Sequence, residues 1–406
     1  MNKKIIFLGI LSLSFLLPSC SATQGASRHI RIYNDAPKTF DYNEYYKEES
    51  INDSYDILVN ANTVKVPDND IHTPIQYAYI RSGYNKISNF GNGSNEYSKS
   101  RSLRLLAGEA EEEKEEYVIQ VSESKKFDES IIYETTSNYI DVKNLKVGTT
   151  YYIKGAETKE GLKNSKVYLY RTAYSLPRNL DIDGITNVRD LGGYRSKLGG
   201  RVRQGLFFRG GRLNVSSQNT FKSDITEDGL RELLEVQGVK SEIDLRMNDT
   251  YYGESGDKNE FGYINNDSYE DLEYHNFPLN WHLSNMMTGE KQTIGKIFKF
   301  LSDEDNYPVY LHCNIGTDRT GLCSYLLGTL LGISQEELFK DYLFSNLGKI
   351  NNTRTLDTVR NTYLGVLESY QQDNLYLDAR EYLLSCGLDD DEIDNIIRIF
   401  VDNKAF

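Results

Sequence analysis

Hydrophobic residues change their spacing along the chain near residue 176. Before that point, apolar and aromatic residues fall in short runs separated by turns, which is typical of β-strands. After it, strand-like runs alternate with stretches whose apolar residues recur at i, i+3, i+4 and i+7, the period of an amphipathic helix. The pattern predicts an all-β domain over 50–174. An α/β domain over 178–406 follows, with a mainly parallel central sheet flanked by helices.

Four runs rich in β-branched and aromatic residues support the all-β prediction. They cover 117–121, 138–142, 150–155 and 166–170. At the start of the third run, Tyr151 follows Leu145 by six residues. This spacing resembles the tyrosine corner of fibronectin type III domains, where a buried ring closes the sandwich end and its hydroxyl bonds back to the main chain. The resemblance implies a fibronectin type III-like β-sandwich, and no catalytic motif is visible in this part of the sequence.

The first twenty residues have the features of an export signal. Two lysines precede an apolar run over 5–17 that is too short to span a bilayer comfortably. The run leads to Cys20, and this ending resembles the lipobox of bacterial lipoproteins. The resemblance implies that residues 1–20 are a lipoprotein signal, and that a lipid on Cys20 anchors the exported protein to a periplasmic or surface membrane face. A plain secretory signal remains the alternative. The polar stretch 21–49 is predicted to be a tether.

The overall composition limits the partners and cofactors that the chain can use. A net charge of −14 argues against a broad basic surface for nucleic acid, so an anionic substrate needs a local positive site. Without Cys20, three cysteines remain, an odd number with no disulfide-rich spacing, which leaves a free thiol available. The five histidines are scattered, so we expect no metal site and no cofactor.

One segment, residues 309–321, carries the residue types of a phosphate site. It reads Val-Tyr-Leu-His-Cys-Asn-Ile-Gly-Thr-Asp-Arg-Thr-Gly and lies between a predicted buried strand and a predicted amphipathic helix. Five residues separate Cys313 from Arg319, enough for a loop whose backbone N–H groups converge on one anion at the helix N-terminus. The predicted phosphate-binding residues are Asn314, Ile315, Gly316, Thr317, Asp318 and Arg319.

Each side chain around this loop has a predicted role. Gly316 permits close backbone approach, and the Arg319 guanidinium can bind two phosphate oxygens in a fork. The same positive field favours the thiolate form of Cys313, which attacks phosphorus in line. His312 is expected to order the loop, and the Thr320 hydroxyl is expected to donate a hydrogen bond to the sulfur.

The spacing His-Cys, five residues, Arg-Thr-Gly resembles the signature of the protein tyrosine phosphatase superfamily. Three further segments resemble the bacterial tyrosine phosphatase family whose loops read His-Cys-x-x-Gly-Lys-Asp-Arg-Thr. They are 187–194, 208–213 and 243–246. The resemblance implies hydrolysis of phosphotyrosine, or of another small phosphoester, through a phosphocysteine intermediate. Within these segments, Asp190, Asp244 and Arg246 are expected to form structural ion pairs.

The leaving group of such a reaction needs a general acid. The stretch 275–282, where many tyrosine phosphatases place an aspartate on a mobile loop, contains no carboxylate. Asp318 is therefore the preferred acid, the role that the resembled family assigns at this position, and His282 is a weaker alternative.

Thr317 stands where the resembled family often has a lysine that is associated with phosphoinositide substrates. The change removes one cation from the pocket, which favours phosphotyrosine because its ring supplies apolar binding surface. An inositol-phosphate or phosphoinositide phosphatase on the same fold stays open as an alternative. A surface module that binds phosphate without turnover is the other.

Overall fold

The computed structural model describes residues 31–34, 39–41, 63–106, 117–137, 139–214, 225–247 and 272–401. Cys20 and the rest of the predicted signal lie outside the described residues, as does most of the predicted tether. Within these described ranges, no helix is long and apolar enough to cross a membrane. The chain divides into a first unit (1–49, 58–74 and 100–175) and a second unit (50–57, 75–99 and 176–406).

The described part of the first unit is built mainly from short antiparallel strands. They are β1 (Arg31–Asn34), β2 (Thr39–Asp41), β3 (Thr63–Lys65), β4 (Leu103–Leu106), β5 (Tyr117–Ser122), β6 (Ile131–Thr135), β7 (Tyr139–Val142), β8 (Thr150–Ala156) and β9 (Tyr168–Arg171). One sheet has the order β1-β4-β7, a second has the order β6-β5-β8-β9, and β2 pairs with β3. The four runs predicted from sequence are confirmed as β5, β7, β8 and β9, with ends that differ by up to two residues.

Side chains from the two larger sheets form one hydrophobic cluster. Leu105 of β4 and Val142 of β7 pack in the same cluster as Ile119 of β5 and Ile153 of β8. Tyr151, at the start of β8, is buried, and its hydroxyl accepts a hydrogen bond from the Lys146 backbone N–H at 2.7 Å. The ring therefore bonds back to the main chain in the way that the Leu145 spacing predicts.

The second unit combines one six-stranded sheet with helices. Its strands are β10 (Arg178–Asn179), β11 (Arg189–Asp190), β12 (Phe207–Gly210), β13 (Ser241–Asp244), β14 (Glu273–Asn276) and β15 (Val309–His312). Its α-helices are α1 (Pro74–Ser82), α2 (Glu227–Arg231), α3 (Met286–Gly289), α4 (Lys291–Leu301), α5 (Arg319–Leu330), α6 (Gln335–Phe344), α7 (Leu356–Thr358), α8 (Gly365–Glu368), α9 (Leu375–Ser385) and α10 (Asp390–Phe400). Short π-helical turns continue α2 over Glu232–Val236 and join α7 to α8 over Val359–Leu364.

The sheet order is β10-β11-β12-β15-β13-β14. Strands β12, β15, β13 and β14 are parallel, as predicted, whereas the short β10 and β11 are antiparallel additions at one edge. Strand β15 lies in the middle, and all four of its residues are buried. Ligands of open α/β sheets bind beyond the carboxyl ends of the strands, and this position is where the loop that follows His312 begins.

The stretch 75–99 belongs to the second unit, although the all-β prediction included it. Ile75, Ala78 and Tyr79 of α1 are buried at the i, i+3, i+4 spacing of a helix, a signal that the strand reading overlooked. The Tyr79 hydroxyl donates to the Lys340 carbonyl at 3.0 Å, and its ring lies 6.2 Å from that of Phe344. This packing against α6 fixes the segment that leads to Lys99.

Candidate active site

The loop after β15 places Cys313 at the carboxyl end of the central strand and Arg319 at the first turn of α5. Gly316, in the middle of the loop, has φ +69°, a left-handed conformation that favours glycine. A Cβ at this position would lie 2.2 Å from the Gly210 carbonyl carbon, so the two backbones touch directly. The close approach predicted for Gly316 is therefore present, and it sets the curvature of the loop.

Two side chains, one just before β11 and one in β12, hold the outside of the loop. The Asn187 amide donates to the carbonyls of Ile315 and Gly316 at 3.2 and 3.0 Å. Arg209 also donates to the Gly316 carbonyl, at 2.9 Å. In a trans peptide the carbonyl and the following N–H point in opposite directions, so these bonds turn the N–H groups of Gly316 and Thr317 away from Asn187. This geometry suits a loop whose amides receive an anion.

Asn187 and Arg209 are in turn oriented by a buried ionic network. Asp341 of α6 accepts from Arg189 at 2.8 Å and from Arg209 at 2.9 Å, and Arg189 donates to Asn187 Oδ1 at 2.6 Å. Burial raises the pKa of Asp341, but the two arginines outweigh it and the pKa is lowered. Burial and the nearby Arg189 lower the pKa of Arg209 to about 10. Asn187, Arg189 and Arg209, which lie in the segments that resemble the phosphatase family, thus support the outside of the loop.

His312 is buried beneath the loop and contacts it directly. Its Nε2 lies 2.8 Å from Glu242 Oε1, and its Nδ1 lies 3.1 Å from the Cys313 carbonyl oxygen. The two ring nitrogens therefore connect the Cys313 backbone to the side chain of Glu242 on β13. The predicted ordering role of His312 matches these contacts.

Glu242, Asp244 and His312 also place one potential metal ligand atom each within 4.8 Å of one another. All three side chains already contact other protein groups. His312 pairs with Glu242, and Asp244 forms an ion pair with Arg246 at 2.8 Å. Burial raises the pKa of Asp244, but Arg246 and His312 outweigh it and the pKa is lowered. The structural ion pairing predicted for Asp190, Asp244 and Arg246 is confirmed, since Asp244 binds Arg246 and Asp190 binds Arg178 at 2.7 Å.

Asp318, the preferred general acid, is paired with a residue that the sequence did not suggest. Arg354 Nε donates to Asp318 Oδ1 and Arg354 Nη2 donates to Asp318 Oδ2, both at 2.8 Å. The hydrogen bond from Arg354 to Asp318 raises the pKa of the guanidinium. The Asn346 side chain holds the Arg354 backbone at both its N–H and its carbonyl. The fork therefore presents the Asp318 carboxylate in a fixed orientation.

The loop forms part of the wall of a cavity of about 830 Å³. Five predicted site residues line it: Cys313, Asn314, Ile315, Asp318 and Arg319. The other predicted residues, His312, Gly316, Thr317 and Thr320, are not part of this lining, and neither is the alternative acid His282. The Arg319 guanidinium is held toward the sheet by a 3.2 Å hydrogen bond to the Leu245 carbonyl.

The bond expected from Thr320 to the cysteine sulfur is not formed. Among the described residues, the buried Thr320 Oγ1 has no hydrogen-bond partner. Thr320 lies in the first turn of α5, and from there its hydroxyl reaches no acceptor. The prediction of a sulfur-stabilising hydroxyl at this position is therefore wrong for this conformation.

Cations from other segments enlarge the positive site beyond the loop. Lys99, Arg212 and Lys349 line the cavity together with Arg319 and Arg354. Lys99 lies 2.9 Å from Asp181, and Arg212 donates to Asn314 Oδ1 at 2.9 Å. The sequence had suggested that Thr317 in place of lysine leaves the pocket with fewer cations. The folded chain instead brings these other cations to the cavity. Lys99, Arg212 and Lys349 are far apart in the sequence and come together only in the folded chain, so no local motif predicts them.

Comparison with known proteins adds the family. The model described as the tyrosine phosphatase family matches residues 180–402, more than half of the chain. A Cupriavidus necator protein named "Putative tyrosine-protein phosphatase" is 26% identical over 243 residues, which cover 54% of this chain and 83% of that protein.

Two solved structures show weaker similarity. The core catalytic domain of the PP-IP phosphatase SIW14 from S. cerevisiae has 16% identity and a TM-score of 0.28, over 43% of this chain and 87% of that one. TpbA of P. aeruginosa has 12% identity and a TM-score of 0.25, over 52% of this chain and 89% of its own. The match over 180–402 shows that the chain belongs to the tyrosine phosphatase family.

Proposed function

We propose that this chain hydrolyses phosphotyrosine in two steps, with Cys313 as nucleophile and Arg319 as phosphate clamp. The observation that carries the proposal is the position of Cys313 in the cavity wall, in a loop that ends at the N-terminus of α5 beside Arg319. The positive end of that helix and the guanidinium both stabilise a bound phosphate dianion. They also stabilise the thiolate that must attack it.

In the first step, the Cys313 thiolate attacks phosphorus, an S–P bond forms and the bond to the phenolic oxygen breaks. The departing phenoxide takes a proton from Asp318. In the second step, water attacks the phosphocysteine, Asp318 takes the proton of that water, and inorganic phosphate leaves as the thiolate is restored. In both steps the loop amides stabilise the negative charge on the phosphoryl oxygens by donating hydrogen bonds to them.

The Arg354 fork holds the Asp318 carboxylate in one orientation at the end of the loop. Asp318 is part of the cavity wall, which places its carboxylate near the reacting group, whereas His282 is not part of that wall. Tyr363 donates to the Asp318 carbonyl at 2.9 Å and keeps the start of α5 in place. These contacts support Asp318 as the group that moves the proton.

The test is steady-state phosphate release from a phosphotyrosine peptide, a phosphoserine peptide and inositol phosphates, with wild type and Cys313→Ser compared side by side. We expect wild type to prefer the phosphotyrosine peptide, and Cys313→Ser to lose turnover while still binding it. Retained turnover in the serine variant would exclude the covalent mechanism. Loss of wild-type activity with a chelator would point to metal-dependent hydrolysis instead.

One observation favours inositol phosphates as a second substrate class. Lys99, Arg212 and Lys349 add positive charge to the cavity beyond the loop, as suits a substrate with several phosphates. A Lys349→Gln variant should then raise the KM for inositol polyphosphates while leaving that for a singly phosphorylated peptide unchanged. Equal effects on both substrates would speak against a separate polyphosphate site.

We propose that the remaining parts of the chain anchor this enzyme to a membrane and position its catalytic unit. The shared core of the two sheets and the Tyr151 hydrogen bond support a fibronectin type III-like sandwich in the first unit, which positions the catalytic unit or contacts a partner. The sequence around Cys20 supports an exported lipoprotein. Labelling with a radioactive fatty acid in a bacterial host should mark wild type and not Cys20→Ala.

A further inference from the structure

The cavity that contains Cys313 has an exposed apolar wall. Among the described residues of the second unit, the large hydrophobic side chains that stay exposed are Trp281, at 39%, and Leu283, at 38%. Both of them line this cavity. Exposed apolar surface that is concentrated at one concave site marks a place where a ligand is buried.

The segment that carries this wall is held in place from both ends. At its start, the His282 backbone N–H donates to Asn280 Oδ1 at 3.0 Å, and the His282 ring packs on the Trp281 ring at 4.1 Å. At its end, Asn285 caps α3 by accepting from the Met287 N–H at 3.0 Å. Tyr382 of α9 donates to the Met287 carbonyl at 2.7 Å. These contacts hold the backbone on both sides of the wall, and a wall held in this way loses less entropy when a ligand binds.

We propose that Trp281 and Leu283 form an aryl-binding wall, which packs against the phenyl ring of a phosphotyrosine whose phosphate is held by the Cys313 loop. The inference rests on the proposed function and names the residues that select its substrate class. An indole and a phenyl ring gain both buried area and ring–ring attraction. Phosphoserine has a single methylene to offer such a wall, and inositol phosphates carry polar groups all round the ring.

Trp281 is the only tryptophan among the 406 residues, so its emission reports this wall alone. The full-length Cys313→Ser chain is titrated with phenyl phosphate, cyclohexyl phosphate and inorganic phosphate. We expect a saturable change in emission with phenyl phosphate at a lower concentration than with cyclohexyl phosphate, and none with inorganic phosphate. Equal affinity for the two esters would overturn the aryl preference. The same change with inorganic phosphate would overturn contact with the ring.

Kinetics provide the second readout. Trp281→Ala should raise the KM for a phosphotyrosine peptide about tenfold with kcat little changed, because the wall contributes to ground and transition state alike. Trp281→Phe, which keeps an aromatic face, should recover most of the loss. Leu169→Ala, which removes an exposed apolar side chain that does not line the cavity, is the matched control and should behave as wild type.

Failure of this inference and failure of the proposed function give different results. If wild type hydrolyses the peptide and Trp281→Ala keeps the same KM, the aryl-binding wall is wrong and the phosphatase stands. If wild type releases no phosphate from any ester, the proposed function is wrong. The emission titration still decides whether the wall binds an aryl ring.

Discussion

Gly316 offers the sharpest test of how the loop shape supports catalysis. Gly316→Ala places a methyl group at φ +69°, and Gly238→Ala does the same at φ +71°. A Cβ at Gly238 has no atom within 4 Å, whereas a Cβ at Gly316 lies 2.2 Å from the Gly210 carbonyl carbon. The two variants therefore share the left-handed backbone strain, about 1–2 kcal/mol. They differ in the collision and in position, since Gly316 lies in the loop after β15 and Gly238 lies just after the π-helical turn that continues α2.

The collision sets the size of the expected effect on activity. Real Cβ atoms essentially never approach within 3.0 Å, so relieving the 2.2 Å contact moves the two backbones apart by about 0.8 Å. Displacement of a reacting group by about 1 Å can lower the rate roughly 100-fold. We expect kcat/KM for an aryl phosphate to fall by about that factor in Gly316→Ala and to stay near wild type in Gly238→Ala.

Phosphate release measures the activity, and urea denaturation measures the free energy of unfolding of both variants. Both should lose about 1–2 kcal/mol of stability, with a further loss for Gly316→Ala from the collision. If Gly316→Ala kept kcat/KM within threefold of wild type, the loop geometry would not control catalysis. If Gly238→Ala lost activity to the same extent, the backbone strain would be the cause and the contact with Gly210 would not.

The remaining predictions concern the proton, the buried network and the thiols. Asp318→Asn should lower turnover more for esters with poor leaving groups than for activated aryl phosphates, and equal losses would argue that Asp318 is not the acid. Asp341→Asn should lower the free energy of unfolding by about 3–5 kcal/mol, because two buried arginines lose their partner. The exposed Asp228→Asn control should change it by less than about 1 kcal/mol in urea denaturation. The pKa of Asp341 is lowered in the folded chain. Its stabilisation is therefore complete above the unfolded value of about 4 and is lost as the pH falls through the lower folded value. The difference in free energy of unfolding between wild type and Asp341→Asn should become smaller in acid. A difference that stays constant down to about pH 2 would contradict the ionic origin of the stabilisation. Burial raises the pKa of Cys323 to about 12, so iodoacetamide at neutral pH should alkylate Cys313 first, with protection by phosphate. Peptide mass spectrometry that found Cys323 labelled first would contradict this order.

Sequence reasoning worked best where the necessary residues are neighbours in the chain. The strand, the loop of 313–319 and the following helix form one continuous segment, so spacing alone predicted that Cys313 and Arg319 face the same site. Strands β5, β7, β8 and β9 of the first unit were found for the same reason, since runs of β-branched and aromatic residues are local signals, whereas β1 to β4 and β6 were not singled out. The reading of 75–99 as part of an all-β domain failed because a short helical spacing was overlooked inside a region judged by its surroundings.

The contacts that shape the site come from distant parts of the chain. Arg354 reaches Asp318 across 36 positions, and Asn187 reaches Gly316 across 129. Lys99, from a segment before the family match, joins the same cavity. Parallel strands bring their carboxyl ends to one edge of the sheet, and the crossing segments decide which side chains arrive there.

By itself, then, the sequence predicted that Cys313 and Arg319 share one site and that the second unit has a mainly parallel α/β sheet, because these depend on local spacing and on periodicity. The tertiary structure alone decided which groups hold the Asp318 carboxylate, that the Thr320 hydroxyl has no partner among the described residues, and that the exposed Trp281 and Leu283 line the same cavity as Cys313. Burial and side-chain orientation depend on what packs against each element, and that is specified by the whole chain at once and not by any short stretch of it.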